Sequence, residues 1–186
     1  IWSFLLNAPN LESAYEHHRR NVAIPTVQSR SDQRVQAVAA LMTSWCPLMG
    51  AVMFLPKFVA PFVDVYQTKE QDCFESMMAI ICKFGSEWFV NYPEAPINVL
   101  SAWISMMRHF EDALLKHFQH HRINIELYLW RHLVQNAFSS FFSDSDWLCL
   151  WDHILTHRNG PLFLHTVPMA IVSCSKASLM AIHSPG

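Results

Sequence analysis

The feature that most limits what this chain can fold into is a stretch from Val35 to Pro56 without any charged residue. An apolar run of about 20 residues is long enough to cross a bilayer as a helix. Two hydroxyl residues, a proline and a glycine interrupt its middle, at Thr43, Ser44, Pro47 and Gly50. Because an interior proline costs a helix about 3 kcal/mol, the run favours two buried helices over one membrane span.

The composition is that of one folded domain. Of the 186 residues, 52% are apolar, with 13 Phe and 7 Trp, which excludes a disordered tail. The formal net charge is only −2, so the chain lacks the basic surface that nucleic-acid binding requires. Because the chain begins at Ile1 rather than Met, we expect a piece excised from a longer protein. Charged residues follow the apolar start too soon for a signal peptide, at Glu12, Glu16, Arg19 and Arg20.

Helical periodicity dominates the pattern of apolar residues. A helix capped by Ser31 is expected first, and a second from Pro47 to Tyr66, kinked near Pro56 or Pro61. A later helix is expected from Asn124 to Phe142. No segment alternates at a period of two. The sequence therefore predicts an all-α fold of eight or more helices.

Common enzyme motifs are absent from the chain. There is no GxxxxGK[ST] phosphate loop, no GxGxxG and no GxSxG, so we expect no cofactor and no intrinsic hydrolase site. Two histidine pairs at a spacing of four could each face one metal: His117 with His121, and His153 with His157. A metal needs further ligands, and basic side chains at a helix end suit the helix dipole. The sequence favours solvated histidines and no metal site.

Aromatic motifs concentrate in the C-terminal half, in Leu127-Tyr128-Leu129-Trp130, Phe138-Ser139-Ser140-Phe141-Phe142 and Trp147-Leu148-Cys149-Leu150-Trp151-Asp152-His153-Ile154-Leu155. A plain helical hairpin would also explain them. The full pattern, however, resembles the "Y…W…LFS" and "LWD.IL" motifs of the TBC domain, the helical domain of Rab GTPase-activating proteins. The upstream Asp112-Ala113-Leu114-Leu115, with His117-Phe118 after it, is similar to the "D..L..HL" segment of that family.

The N-terminal half resembles the same family less closely. Trp2 with Leu5-Leu6 looks like its "W..LL", the segment from Cys46 to Met53 is similar to "NP.VGY.QG", and Ala60-Pro61-Phe62 is similar to "APF". We therefore predict a single TBC-like domain over residues 1–186, with a divergent half at 1–95 and a better match at 96–186. The stretch from Pro96 to Leu100 resembles "P.NIL" of a WD-repeat-bearing, ciliary and centrosomal subfamily.

The resemblance implies two catalytic fingers that act on a bound GTPase. In active members, an Arg from "IPxDxxR" stabilises charge on the transferred phosphoryl group, and a Gln from "YxQ" positions the attacking water. Here Ala51 and Met53 stand where Tyr and Gln are expected. The stretch from Ile24 to Arg30 matches the first motif, with Val27 in place of Asp. Arg30 is thus the candidate arginine finger, or else a solvated charge before the helix while the true finger loop is deleted.

The resemblance places Gln28, Ala51 and Lys57 on the partner-binding surface. The resulting hypothesis is a domain that binds a Rab-type small GTPase, with GTPase activation that is weak or absent. One alternative is an active GTPase-activating protein, acting in trans, that uses Arg30 or Gln28 from an atypical loop. Another is a helical interaction scaffold without a GTPase partner. The resemblance also implies a cytoplasmic role in membrane trafficking, at a cilium, flagellum or centrosome, with other proteins bound through flanking regions.

Overall fold

The computed structural model describes residues 2–6, 12–23, 29–157 and 159–181. Throughout these ranges the regular backbone is helical and no strand occurs, which confirms the all-α prediction. The helices of the first half are α1 (Trp2–Leu5), α2 (Glu12–Asn21), α3 (Arg30–Trp45), α4 (Leu55–Tyr66), α5 (Glu70–Ile80) and α6 (Ser86–Val90). Those of the second half are α7 (Ile97–Phe110), α8 (Asp112–His120), α9 (Ile125–His132), α10 (Asp144–Thr156), α11 (Gly160–Cys174) and α12 (Lys176–Met180).

The uncharged stretch holds most of α3, the turn that follows it and the first two residues of α4. α3 carries its first part, and Ser29 rather than Ser31 caps this helix by accepting a bond from the Asp32 amide. The prediction of one helix from Pro47 to Tyr66 is wrong. A short 3-10 helix, Pro47–Ala51, precedes α4, whose first turn holds Pro56. A proline is tolerated there because the first amides of a helix have no intrahelical partner.

The predicted helix from Asn124 to Phe142 is also too long. Asn124 does cap α9, since its side chain accepts a bond from the Leu127 amide at 2.9 Å. The helix ends at His132, and Ala137 and Phe138 both have positive φ angles, 52° and 68°. Left-handed backbone of this kind is costly for residues with a Cβ, so tertiary contacts must hold the turn.

Two tryptophans supply those contacts. The indole N–H groups of Trp147 and Trp151 on α10 both donate to the carbonyl of Ala137, at 2.7 Å and 3.2 Å. Ala137 and Phe138 are fully buried. A buried carbonyl without a partner would be costly, so the pair of indoles satisfies the acceptor that the left-handed turn leaves inside the protein.

α4 lies at the centre of the core. Phe58, Val59 and Phe62 on one of its faces have no exposed surface. The ring of Phe62 meets Trp147 at 5.1 Å and Trp151 at 4.8 Å between centroids, both edge to face. Such aromatic pairs contribute beyond the apolar area that they bury. α4 therefore ties the N-terminal helices to α10.

The longest helical run continues from α5 into α6 through a π-helical segment, Ile81–Gly85. Phe84 in this segment lies against Gly160, where an added Cβ would stand 2.5 Å from the ring. The same Cβ would collide with the backbone carbonyl of Ile154, and the two contacts together explain why α11 begins at a glycine. An Asn-Gly pair is typical of a helix stop, but here Gly160 is the first residue of the next helix.

No helix in the described ranges is long and apolar enough to cross a membrane. The uncharged stretch from Val35 to Pro56 is therefore not part of such a helix.

The paired histidines at the end of α8 do not form a metal site in the described ranges. The ring centroids of His117 and His121 lie 4.6 Å apart at the C-terminal end of α8. Within the same ranges, no group of three His, Cys, Asp or Glu side chains converges on a point that could hold a metal ion.

Truncation of the α4 face tests this description of the core. We expect Phe62→Ala to lower the free energy of unfolding by about 3–5 kcal/mol, because it leaves a cavity between two indoles. Phe110→Ala is the matched control, since that ring is 72% exposed, and it should change stability by less than about 0.5 kcal/mol. Urea denaturation followed by tryptophan fluorescence measures both variants, and equal losses would contradict the central place of α4.

His165 should make stability depend on pH. Burial on α11 holds the pKa of this imidazole below its usual value, and the nearby Glu87 carboxylate opposes that effect only in part. Because the pKa of His165 is lower in the folded chain than in the unfolded chain, the unfolded chain takes up a proton first as the pH falls below about 6.5. The stability that the neutral, buried imidazole allows above that pH is therefore lost below it. Urea titrations at pH 7.5 and 5.5 should show a smaller loss for His165→Gln than for the unchanged chain. Identical losses would show that His165 is not responsible.

Candidate functional site

The turn between α3 and α4, residues 46–54, holds the predicted finger position. Its 3-10 helix is closed by backbone bonds from the amide of Met49 to the carbonyl of Cys46 at 2.9 Å, and from the amide of Val52 to that of Met49 at 3.0 Å. Val52 is buried, whereas the next residue, Met53, is 85% exposed. The turn therefore directs the side chain of Met53 into solvent.

Aromatic residues from distant helices hold the end of this turn. The ring of Phe54 lies 5.2 Å from Phe89 of α6, 5.8 Å from Tyr92 and 5.5 Å from Trp130 of α9, between centroids. Only 4% of Phe54 is exposed. Because the residues on both sides of Met53 are anchored in the core, position 53 is displayed on a fixed backbone.

The start of the turn packs directly on α3. A Cβ added to Gly50 would stand 2.9 Å from the Cγ2 atom of Thr43. The hydroxyl of Thr43 donates to the carbonyl of Ala39 at 3.0 Å, which holds the threonine in one rotamer. Gly50 is therefore required by close approach of the two segments rather than by an unusual φ angle.

The other predicted binding residues are divided between the turn and its surroundings. Ala51 is exposed at the end of the 3-10 helix, and Lys57 is exposed in the first turn of α4. Leu48, on the same short helix as Ala51, is 78% exposed. The turn thus presents apolar side chains, with one ammonium group on the helix that follows.

Arg30 is the first residue of α3, whereas Met53 lies in the turn that follows the last residue of that helix. The hydroxyl of Ser31, its neighbour, donates to Asp64 near the C-terminus of α4 at 3.2 Å, and Arg34 approaches the same carboxylate at 3.6 Å. α3 has 16 residues, about 24 Å at 1.5 Å per residue. The structure therefore does not bring Arg30 and Met53 together. Gln28, the remaining predicted partner-binding residue, lies outside the described residues, as do Ile24 to Val27.

A groove of about 540 Å³ runs beside the turn, between the end of α2 and the C-terminal half of α3. α2 is fixed there by Glu70, which accepts a bond from the Tyr15 hydroxyl at 2.8 Å and pairs with Arg19 at 2.9 Å. Burial and the carboxylate of Glu70 raise the pKa of Tyr15 to about 12. At neutral pH the tyrosine therefore remains a hydrogen-bond donor that anchors the wall of this groove.

Comparison with known proteins decides the family. The model of the Rab-GTPase-TBC domain matches residues 28–180. The chain belongs to the Rab-GTPase-TBC domain family. This confirms the resemblance found in the sequence, and the TBC domain here includes the α3–α4 turn.

Individual relatives agree with this assignment. The chain is 30% identical over 190 residues to TBC1 domain family member 31 of Bos taurus, and 30% identical over 191 residues to that of Homo sapiens. It is 27% identical over 191 residues to that of Xenopus laevis. These matches cover 97% of the chain, but the chain spans only 17–18% of the relatives' own length. No solved structure matches the chain.

Sequence reasoning located the turn of the TBC domain but missed what supports it. Phe89, Tyr92 and Trp130 are far from Phe54 along the chain, and nothing in local spacing pairs them. The close approach of Gly50 to Thr43 could not be predicted from local spacing either. The scarcity of glycine was the available signal, because the chain has only four glycines, and Gly50 and Gly160 stand where an added Cβ would collide with a neighbour.

Substitution of Gly50 should loosen the turn. In Gly50→Ala the new methyl group meets Thr43, and we expect a loss of about 1–3 kcal/mol in the free energy of unfolding, as for other overpacked sites. Amide hydrogen exchange of residues 47–54 should become faster. The double variant Gly50→Ala/Thr43→Ser removes the opposing methyl group and should recover most of the loss. A single variant as stable as the unchanged chain would contradict the close approach.

Proposed function

We propose that this TBC domain binds a Rab-type small GTPase while accelerating GTP hydrolysis weakly or not at all. The observation that carries the proposal is the side chain of Met53, exposed at the tip of the α3–α4 turn. The family pattern has a glutamine at that position. A change at a position that is 85% exposed is not explained by packing, whereas it does alter the side chain that the turn presents to a partner.

The chemistry of the two side chains supports weak or absent activation. A glutamine amide has two N–H donors and a carbonyl acceptor, so it can hold a water molecule in line with a phosphate. The thioether of Met53 has no donor and only a weak acceptor. Ala51, two residues earlier, also lacks the hydroxyl that the family pattern supplies. Neither side chain can position an attacking water.

The position of Arg30 supports the same proposal. An arginine finger must reach the phosphate that the glutamine also serves, and it is worth about 10³–10⁵ in rate. Arg30 lies the length of α3 away from Met53, so the two positions do not face one phosphate in this arrangement. Its role as the candidate arginine finger stays a prediction, as does that of Gln28 in an atypical loop.

The exposed surface of the α3–α4 turn supports binding of a GTPase even without the catalytic glutamine. Leu48 and Met53 present exposed apolar side chains on a fixed turn, and Lys57 adds a positive charge nearby. Methionine adapts its shape to irregular partners and is common at protein-binding surfaces. The resemblance of the sequence to the WD-repeat-bearing TBC subfamily supports a cytoplasmic role in membrane trafficking, at a cilium, flagellum or centrosome.

Binding and hydrolysis can be measured separately on the 186-residue chain. Across a panel of Rab GTPases, we expect at least one to bind when it is loaded with a non-hydrolysable GTP analogue, and more weakly with GDP. Phosphate release from the same GTPase loaded with GTP should rise by less than about tenfold, far below the effect of a complete pair of fingers.

Two variants sharpen this test. Met53→Gln alone should restore little activity, because Ala51 and Val27 also depart from the family pattern, while Arg30→Ala should leave the basal rate of hydrolysis unchanged. Strong stimulation that Arg30→Ala abolishes would instead establish an active GTPase-activating protein. Absence of binding to every GTPase in the panel would favour a helical interaction scaffold and overturn the proposal.

A further inference from the structure

Two open hollows lie side by side between the C-terminal half of α4 and α10. Each has a volume of about 540 Å³. Both are lined by Val65, Gln67 and Leu148, so they form one continuous surface, which we call the α4–α10 groove. It lies at the opposite end of α4 from Met53 and shares no lining residue with the turn.

The floor of the α4–α10 groove is apolar. Pro61 and Trp147 line the first hollow and Trp2 lines the second. Between the hollows, Val65 is 40% exposed and Leu148 is 37% exposed. These two side chains form an uncovered apolar ridge that a second molecule could cover.

The rim of the groove is acidic. Asp64 and Asp144 line the first hollow, and Asp72 and Asp152 line the second, and Lys69 is the single basic residue among the described residues that line them. The whole chain is nearly balanced, with 15 acidic and 13 basic residues. The negative charge is therefore concentrated here, and a groove of one sign attracts ligands of the other.

Two of the four carboxylates, Asp64 and Asp152, have close partners, and the other two, Asp72 and Asp144, are more available. Asp64 is engaged by Arg34 at 3.6 Å, and Asp152 accepts a bond from the indole of Trp2 at 2.5 Å. Among the described residues, Asp72 has a single long contact, with Lys69 at 3.9 Å. Each hollow thus keeps at least one carboxylate, Asp144 or Asp72, that can meet a cation from outside.

Backbone strain marks the point where the hollows join. Gln67 ends α4 with φ 50° and ψ −102°, an unusual conformation for a residue with a Cβ. Strained residues of this kind cluster at sites that clamp ligands. The amide side chain of Gln67 carries donors and an acceptor, which is what the backbone of a bound peptide requires.

We propose that the α4–α10 groove binds a short segment of a partner protein in which basic and apolar residues alternate. Asp144 and Asp152 are eight residues apart on α10, about 12 Å, which matches about four residues of an extended chain. Side chains two positions apart then point the same way, so two apolar residues enter the hollows. The Lys or Arg residues between them leave the other face of the extended chain, and their long side chains bend over the rim to meet Asp144 and Asp72. This proposal does not rest on a GTPase partner.

Pooled hexapeptides provide the probe. One pool alternates Lys or Arg with Leu, Ile, Val, Met or Phe, and a second pool replaces the basic residues by Asp or Glu. We expect the immobilised 186-residue chain, with no GTPase present, to retain members of the basic pool and not of the acidic pool. Retention should fall as salt is raised, because exposed charge pairs are screened.

Matched charge removal decides where the peptides bind. Asp72→Asn/Asp144→Asn neutralises one residue per hollow, each in the first turn of a helix, and should weaken binding of a retained peptide at least fivefold. Asp112→Asn/Glu126→Gln makes the same change in the first turns of α8 and α9 and should alter binding less than twofold. Leu148→Ser tests the apolar ridge independently and should also weaken binding at least fivefold.

Three outcomes would overturn the proposal. The first is no enrichment of the basic pool over the acidic pool. The second is an equal loss of binding in the two charge-removal pairs. The third is concentration-dependent dimerisation that Leu148→Lys abolishes, without peptide retention, which would assign the groove to a second copy of the chain.

Discussion

Burial of the aromatic face of α4 is the constraint on which the other features depend. Phe58 and Phe62 have no exposed surface, and Phe62 is held between the indoles of α10. Because α4 cannot rotate or slide without breaking these contacts, both of its ends are fixed. One end carries the α3–α4 turn with Met53, and the other borders the α4–α10 groove. Two surfaces with different chemistry are thus positioned by one buried helix.

The class of the fold was predictable because it depends on local signals. The uncharged stretch from Val35 to Pro56 and the apolar spacing elsewhere indicate helices without reference to tertiary structure. The ends of helices were harder to predict. α9 stops at His132 because Trp147 and Trp151 stabilise a left-handed turn at Ala137, and that cause lies ten or more residues along the chain. Pro47 and Pro56 could each have opened a helix, and only packing selects between them.

Some features of the candidate site were likewise predictable from the sequence, and others were not. That position 53 carries methionine where the family pattern has glutamine could be read from the sequence, because it depends on residue identity alone. That this side chain is exposed, on a turn held by Phe89, Tyr92 and Trp130, follows from contacts between distant segments. The separation of Arg30 from Met53 likewise depends on which end of α3 each residue occupies. Spacing along the chain did not contain that information.

The carbonyl of Ala137 has a consequence for how this sequence can change over evolutionary time. It receives two donors where one would satisfy it, so loss of either indole N–H leaves the buried acceptor still bonded. Loss of both would leave it unpaired, at a cost of about 1–3 kcal/mol. For this carbonyl, the effect of substituting Trp147 therefore depends on whether Trp151 is still present. The two positions are expected to be epistatic, with the first change tolerated more readily than the second.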